Sequence, residues 1–173
     1  VNIERELDFK REATHTKLFR DNFEGDANIV IPQVLDELSN ETLLTMEYVE
    51  GVPVGRAELK REDEEFLARV GLRATFQQIF QDGIFHSDPH PGNVLVVGSS
   101  SLLLLDFGQV GRVDARLKDQ LATLLIAVVE RDYEHAATTI IDMGEPAAPV
   151  NRRRLTREVA DMVDYFAAVS LGD

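Results

Sequence analysis

Three stretches of helical periodicity, set against short β-prone runs confined to two places, predict an α+β fold for this 173-residue chain. Over residues 3–19, Ile3, Leu7, Thr14 and Leu18 fall near one helical stripe, and the segment 22–28 then breaks the pattern with Gly25. Over residues 61–81, Phe66, Leu67, Val70, Phe76, Ile79 and Phe80 recur at helical spacing, so a long buried helix is expected. Gly71 weakens it by roughly 1 kcal/mol relative to alanine. From Asp114 onward two or three further helices are expected, broken by Gly144-Glu-Pro-Ala-Ala-Pro149.

The β-prone runs are brief. Residues 32–38 and 42–49 flank Ser39-Asn40 and read as a hairpin, followed by Gly51-Val-Pro53-Val-Gly55, which reads as a linker. Residues 83–86, 94–97 and 102–105 form the second group, with a proline-bearing loop after His86 and the turn Gly98-Ser-Ser-Ser101 between the last two runs. No internal repeat is visible.

Composition excludes more than it identifies. A 44% hydrophobic content with 7% aromatics suits a soluble globular chain. The formal charge of −13 disfavours a nucleic-acid backbone or an anionic lipid surface as a general partner, and Asn151-Arg-Arg-Arg154 is the obvious local basic patch. The sequence contains no cysteine, which rules out disulfides, thiolate nucleophiles and cysteine-ligated zinc. The longest uncharged apolar stretch, 121–129, falls well short of the roughly 20 residues of a membrane span. With Val1 first and no signal-like segment, a piece of a longer polypeptide is expected.

One run carries chemistry. Between Phe85 and Gly111 the chain places His86, Asp88, Asn93 and Asp106 in the order H-x-D-x-x-x-x-N, then D-F-G, of phosphoryl-transfer enzymes of the protein-kinase kind. Transferring a γ-phosphoryl group demands positioning and charge neutralisation rather than covalent work. Mg²⁺ is a hard cation that takes oxygen ligands, so Asp106 and the Asn93 amide oxygen are the candidate metal ligands. Asp88 is left to orient or deprotonate the acceptor. The strands between Asn93 and Asp106 fix their relative position, and Gly108 lets the backbone turn after the metal aspartate. By kinase analogy Leu95 faces the nucleotide base. His86-x-Asp88-x-His90 also invites zinc, but catalytic zinc takes three protein ligands, and the remaining histidines, His15 and His135, form no second cluster. His86 is read as a brace of the loop, and His90 as a second brace or a phosphate-proximal donor.

The chain resembles the AarF/UbiB atypical kinases, which are associated with ubiquinone biosynthesis. The resemblance rests on Glu6-Leu-Asp8-Phe-Lys-Arg-Glu12-Ala13, Leu44-Thr-Met46-Glu-Tyr-Val49-Glu-Gly51, Asp88-Pro-His-Pro-Gly-Asn93 and Leu105-Asp106-Phe-Gly108. It implies a protein-kinase-like fold, with residues 1–50 the end of a small lobe carrying an αC-like helix, hairpin and hinge, and residues 51–173 a helical large lobe. It further implies ATP and Mg²⁺ as cofactors, Asp88 and Glu12 in catalytic positions, and Asn93 and Asp106 on the metal. Glu6 and Asp8 correspond to an E-x-D element near the phosphates, and the Glu47 carbonyl and Val49 amide to the adenine-binding hinge. Asp8 and Glu12, four apart, repel mildly within a helix unless a cation intervenes; a solvated acidic face balanced by Arg5 and Arg11 is the alternative.

Several departures shape the expected activity. The chain has no G-x-G-x-x-G loop, and its lysines are Lys10, Lys17, Lys60 and Lys118, none in a V-A-I-K strand. Ser87 stands where typical kinases carry arginine, and no A-P-E follows Asp106, so activation-loop control is not expected. An ATPase or a small-molecule or lipid phosphotransferase is expected rather than a protein kinase. The alternatives are an aminoglycoside- or choline-kinase-type enzyme, opposed by Gln109-Val-Gly111 where a further acid is usual, and a non-catalytic nucleotide-binding scaffold. A cytoplasmic or peripheral-membrane location is expected, with any membrane association lying in segments outside these residues.

Overall fold

The computed structural model describes residues 8–144 and 146–170, and they form the expected α+β architecture. The chain divides after Val113 into two compact units, each with its own hydrophobic core.

The first unit opens with α1, Phe9–Asn22. Its N-cap is Asp8, whose Oδ1 accepts the Arg11 amide at 3.3 Å and so satisfies one of the helix's orphan donors. Ala13, Thr16 and Phe19 recur every third residue and are buried, whereas Leu18, placed on the apolar stripe by sequence, is exposed. Residues before Asp8, where the helix was also expected, lie outside the described residues. After α1 the chain turns through Gly25, with φ of 81°, into β1, Ile29–Val30. The Arg73 guanidinium grips the Asp26 carboxylate across this turn through Nη1–Oδ2 at 2.5 Å and Nη2–Oδ1 at 3.0 Å.

The expected hairpin over 32–49 pairs without forming regular strands. Its antiparallel contact is a single bridge, Val34 to Met46, supported by Leu35 N–H to the Thr45 carbonyl and Glu47 N–H to the Gln33 carbonyl. Pro32 has no N–H to extend the ladder backward, and a 3₁₀ turn at Asp36–Leu38 ends it forward. The segment read as a linker carries β2, Val52–Pro53.

The remaining strands are β3, Ile84–His86; β4, Val94–Val97; β5, Ser101–Leu104; and β6, Val110–Arg112. Four strands form one sheet in the order β1-β5-β4-β2, with β1 parallel to β5 and the other pairs antiparallel. The β4–β5 hairpin therefore occupies the centre, where both neighbours fix its register. β3 and β6 form a separate antiparallel pair with Phe85 opposite Gly111. A side chain at Gly111 would stand 2.3 Å from the Phe85 ring, so only glycine admits the ring there.

Helix α2, Arg61–Phe76, begins with Glu62, Asp63 and Glu64 in its first turn, favourable at the positive end of the helix dipole. Leu67, Val70 and Ala74 enter the core with Phe19, Ile29, Leu102 and Phe107. The helix is half buried rather than fully buried, because Phe66, Leu72 and Phe76 are exposed. It runs on as a π-helical turn, Gln77–Asp82, ended by Gly83 at φ 70°. The second unit consists of α3, Ala115–Val129, α4, Tyr133–Gly144, and α5, Arg152–Ser170, packed around Ala127, Ala136 and Val159. The break after 144 falls where the Gly/Pro cluster puts it.

Two stability predictions follow from these contacts. Gly111→Ala is expected to destabilise by about 1–3 kcal/mol through overpacking, and Phe85→Ala in the same chain should reduce that increment, as chemical denaturation of the four-member cycle will show. The Arg73 hydrogen bonds hold the Asp26 carboxyl below the usual carboxylate range, despite opposing desolvation. A depressed folded pKa contributes stability above the unfolded value and loses it as pH falls through the folded one. Asp26→Asn should thus cost about 0.5–1 kcal/mol at pH 7, the pair being partly exposed, and the deficit should narrow below about pH 4 in urea melts.

Candidate functional site

The hairpin delivers the motif residues. Asn93 immediately precedes β4, Asp106 lies two residues past β5, and the ladder continues between them through Leu105 N–H to the Asn93 carbonyl at 2.9 Å. The buried Asn93 amide donates through Nδ2 to the Asp88 carbonyl at 3.1 Å and stands 3.5 Å from Asp106 Oδ2. Asp88, Asn93 and Asp106, chosen from spacing alone, are thus brought together. With Nδ2 tied to the Asp88 backbone, the amide's Oδ1 is the end left for a cation. Asp88 points no carboxylate oxygen at a donor among the described residues, so that group is available to a ligand.

Asp106 has φ of 61°, a left-handed conformation that costs a non-glycine residue roughly 1–2 kcal/mol. Its Oδ1 accepts the Gly108 amide at 3.3 Å, a short-range bond that aspartate can make and most residues cannot. The carbonyls on either side of Asp106 are both held. His86 Nε2 contacts the Leu105 carbonyl at 2.8 Å, while its Nδ1 accepts the Asp88 amide at 3.2 Å. These partners set the tautomer with the proton on Nε2 and occupy both ring nitrogens, so His86 is a brace of the loop and not a zinc ligand. On the other side, His15 Nδ1 on α1 donates to the Phe107 carbonyl at 3.0 Å.

The Phe107 ring, 1% exposed, packs on Phe19 at 4.7 Å between centroids and on His86 at 5.1 Å, joining α1 to the catalytic loop. His90 accepts the Gly92 amide at Nδ1, 2.9 Å, and its carbonyl accepts the Asn93 amide, which makes it the second brace. Sequence reasoning missed Gln78. The π-helical turn swings this buried side chain so that Oε1 receives the His86 amide at 2.9 Å. A single extra residue per turn leaves no mark in apolar periodicity.

Glu12 lies half-buried one turn before His15. Burial, and then the Asp106 carboxylate, push its carboxyl above the usual range. Asp8, four residues earlier, is the N-cap, and its carbonyl accepts the Glu12 amide at 3.3 Å. Glu6 lies outside the described residues. Glu47 Oε2 accepts the Gln33 amide, and Arg20 Nη1 lies 3.7 Å away; among the described residues neither the Glu47 carbonyl nor the Val49 amide has a hydrogen-bond partner. Leu95 packs against the Gly51 backbone, where an added Cβ would come within 3.1 Å of its own. The chain at Gly51 and the β4–β5 hairpin are therefore adjacent. A concavity of about 290 Å³ beside Arg20, Phe23 and Ile29–Ile31 contains none of the motif residues; the chemistry belongs with the side chains and not with that hollow.

No group of three or more His, Asp and Glu gathers among the described residues. Glu12 Oε2 and Asp106 Oδ1 flank the same glycine, standing 3.9 and 3.2 Å from where a Cβ on Gly108 would lie.

The profile of the ABC1 atypical kinase-like domain matches residues 1–140. The chain belongs to the ABC1 family. It is 34% identical over 184 residues to an uncharacterised Synechocystis protein, covering 99% of this chain and 45% of that one. It is 41% identical over 146 residues to a probable protein kinase UbiB of Pseudomonas entomophila, covering 80% of this chain and 27% of the relative. The structure of Mycobacterium tuberculosis Rv3197, solved with erythromycin, superposes with a TM-score of 0.69 at 22% identity, covering 93% of this chain and 42% of that one. The fold is kinase-like, and the chain spans less than half the length of these relatives.

In this ABC1 domain the left-handed Asp106 yields a direct test. Asn tolerates that conformation, so Asp106→Asn should leave ligand-free stability within about 0.5 kcal/mol of wild type, whereas Asp106→Ala should cost about 1 kcal/mol or more in chemical denaturation.

Proposed function

We propose that this chain is the metal- and acceptor-side part of an atypical kinase-like enzyme that binds Mg-ATP and passes its γ-phosphoryl group to water or to a small or lipid acceptor, in support of ubiquinone or isoprenoid-lipid metabolism. The observation that carries this reading is the Asp88–Asn93–Asp106 constellation on one central hairpin, with Asp106 held in a left-handed turn. Asp106 and Asn93 would hold Mg²⁺, which when bound neutralises phosphate charge. Asp88, its carboxylate uncommitted, orients the acceptor and takes its proton. The Glu47 carbonyl and Val49 amide face the adenine edge, and Leu95 lies beneath the base. Glu12 stands where a kinase helix glutamate meets the phosphate-binding lysine. A residue with that role is not among the four lysines of this sequence.

The charge of −13 argues against nucleic acid as a partner. Among the described residues no helix is long and apolar enough to cross a membrane.

The test is thermal stabilisation by Mg-ATP in the full-length polypeptide. Saturation at about a hundred times Kd should add about 2.7 kcal/mol, and Asp106→Asn should abolish the gain. Stabilisation that survives in Asp106→Asn would remove that residue from the metal site. Asp88→Asn should retain binding while phosphate release slows about 10²- to 10⁴-fold; lost binding would contradict its role. The 173 residues alone should bind and hydrolyse ATP poorly, and turnover matching that of the full-length polypeptide would overturn the dependence on a lysine and loop from elsewhere. Binding without turnover in the full-length polypeptide would favour the scaffold alternative.

A further inference from the structure

We propose that His15 is a positioning residue for the Asp106 turn, fixing it from α1 through the Phe107 carbonyl. Its consequence for metal binding rests on the Mg-nucleotide reading above. Asp106 sits in a conformation its own backbone disfavours, so neighbouring contacts must hold it there. Before it, Leu105 is fixed at both polar groups, by Asn93 and by His86. After it, the Phe107 ring is held by packing on Phe19 and His86, which resists removal of the ring but not rotation of the following peptide. That peptide has one local restraint, the Gly108 N–H to Asp106 Oδ1 bond at 3.3 Å, and one from another element, the His15 Nδ1–H to Phe107 carbonyl bond at 3.0 Å, reaching across 92 residues of sequence.

The same helix also brings like charge to this turn. Glu12, one turn before His15, lies beside it: a Cβ on Gly108 would stand 3.2 Å from Asp106 Oδ1 and 3.9 Å from Glu12 Oε2, so two acidic side chains share this place. Lys10, Lys17 and Arg20, the cations of α1 with recorded ion pairs, reach Glu41, Asp36 and Glu47 instead. Among the described residues His15 thus supplies a polar attraction between α1 and the Asp106 turn, on the side where Glu12 brings like charge. Nδ1 donates in the neutral tautomer and in the imidazolium alike, so the restraint does not depend on ring charge.

The experiment compares wild type, His15→Leu and His15→Asn in the full-length polypeptide. Leucine keeps bulk and removes the donor; asparagine places an amide N–H₂ where Nδ1 stood. In the absence of nucleotide, His15→Leu should speed amide exchange over residues 105–108 roughly fivefold, the worth of about one hydrogen bond, while the buried face of α2 at Leu67, Val70 and Ala74 stays as in wild type. The Mg²⁺ concentration for half-saturation at fixed nucleotide should rise by about the same factor. His15→Asn should restore both to within about twofold. Unchanged exchange at 105–108 in His15→Leu, equal loosening of α2, or an asparagine variant that behaves like leucine would each overturn the proposal. A wild type that shows the exchange pattern but binds no Mg-nucleotide would support the His15 restraint while overturning the nucleotide reading.

Discussion

A single left-handed residue, Asp106, is the constraint around which the first unit is arranged. Its conformation turns the chain out of β5 and aims a carboxylate at Asn93, and it persists because the peptides on both sides are held from different elements. The catalytic loop supplies His86, α1 supplies His15, and the buried Phe107 ring fills the space between Phe19 and His86. Burying a ring of that size contributes about 2–3 kcal/mol, enough to outweigh the backbone cost of roughly 1–2 kcal/mol.

The loop around Asp88 shows the same economy. His86 sends one nitrogen to the Leu105 carbonyl and the other to the Asp88 amide, and its own amide is received by Gln78. Backbone groups are tied down so that the Asp88 carboxylate is not. His90 and Pro91-Gly92 close the turn to Asn93, whose amide nitrogen returns to the Asp88 carbonyl. Two acidic side chains meet at this turn, and burial together with the Asp106 carboxylate pushes the Glu12 carboxyl above the usual range.

The candidate motif was legible because the H-x-D-x-x-x-x-N and D-F-G pattern has a fixed order and a fixed loop length. Asp88, Asn93 and Asp106 could be named from spacing, and the hairpin between the last two from β-prone runs around Gly98. The residues that support them were not legible. His15 and Gln78 have no local pattern, since each acts through one hydrogen bond to a backbone group in a different element.

By itself the sequence determined the α+β class, much of the order of elements, the absence of cysteine and the candidate motif of Asp88, Asn93 and Asp106. Those properties depend on composition and on separations of a few residues. Tertiary structure decided that β1 inserts parallel to β5 and that the 51–55 segment is a sheet edge. It also decided that Glu12 meets Asp106 and that α1 reaches the D-F-G turn through His15 and Phe19. These are contacts between residues some 70 to 95 positions apart in most cases, fixed by packing of whole elements and invisible to any local period.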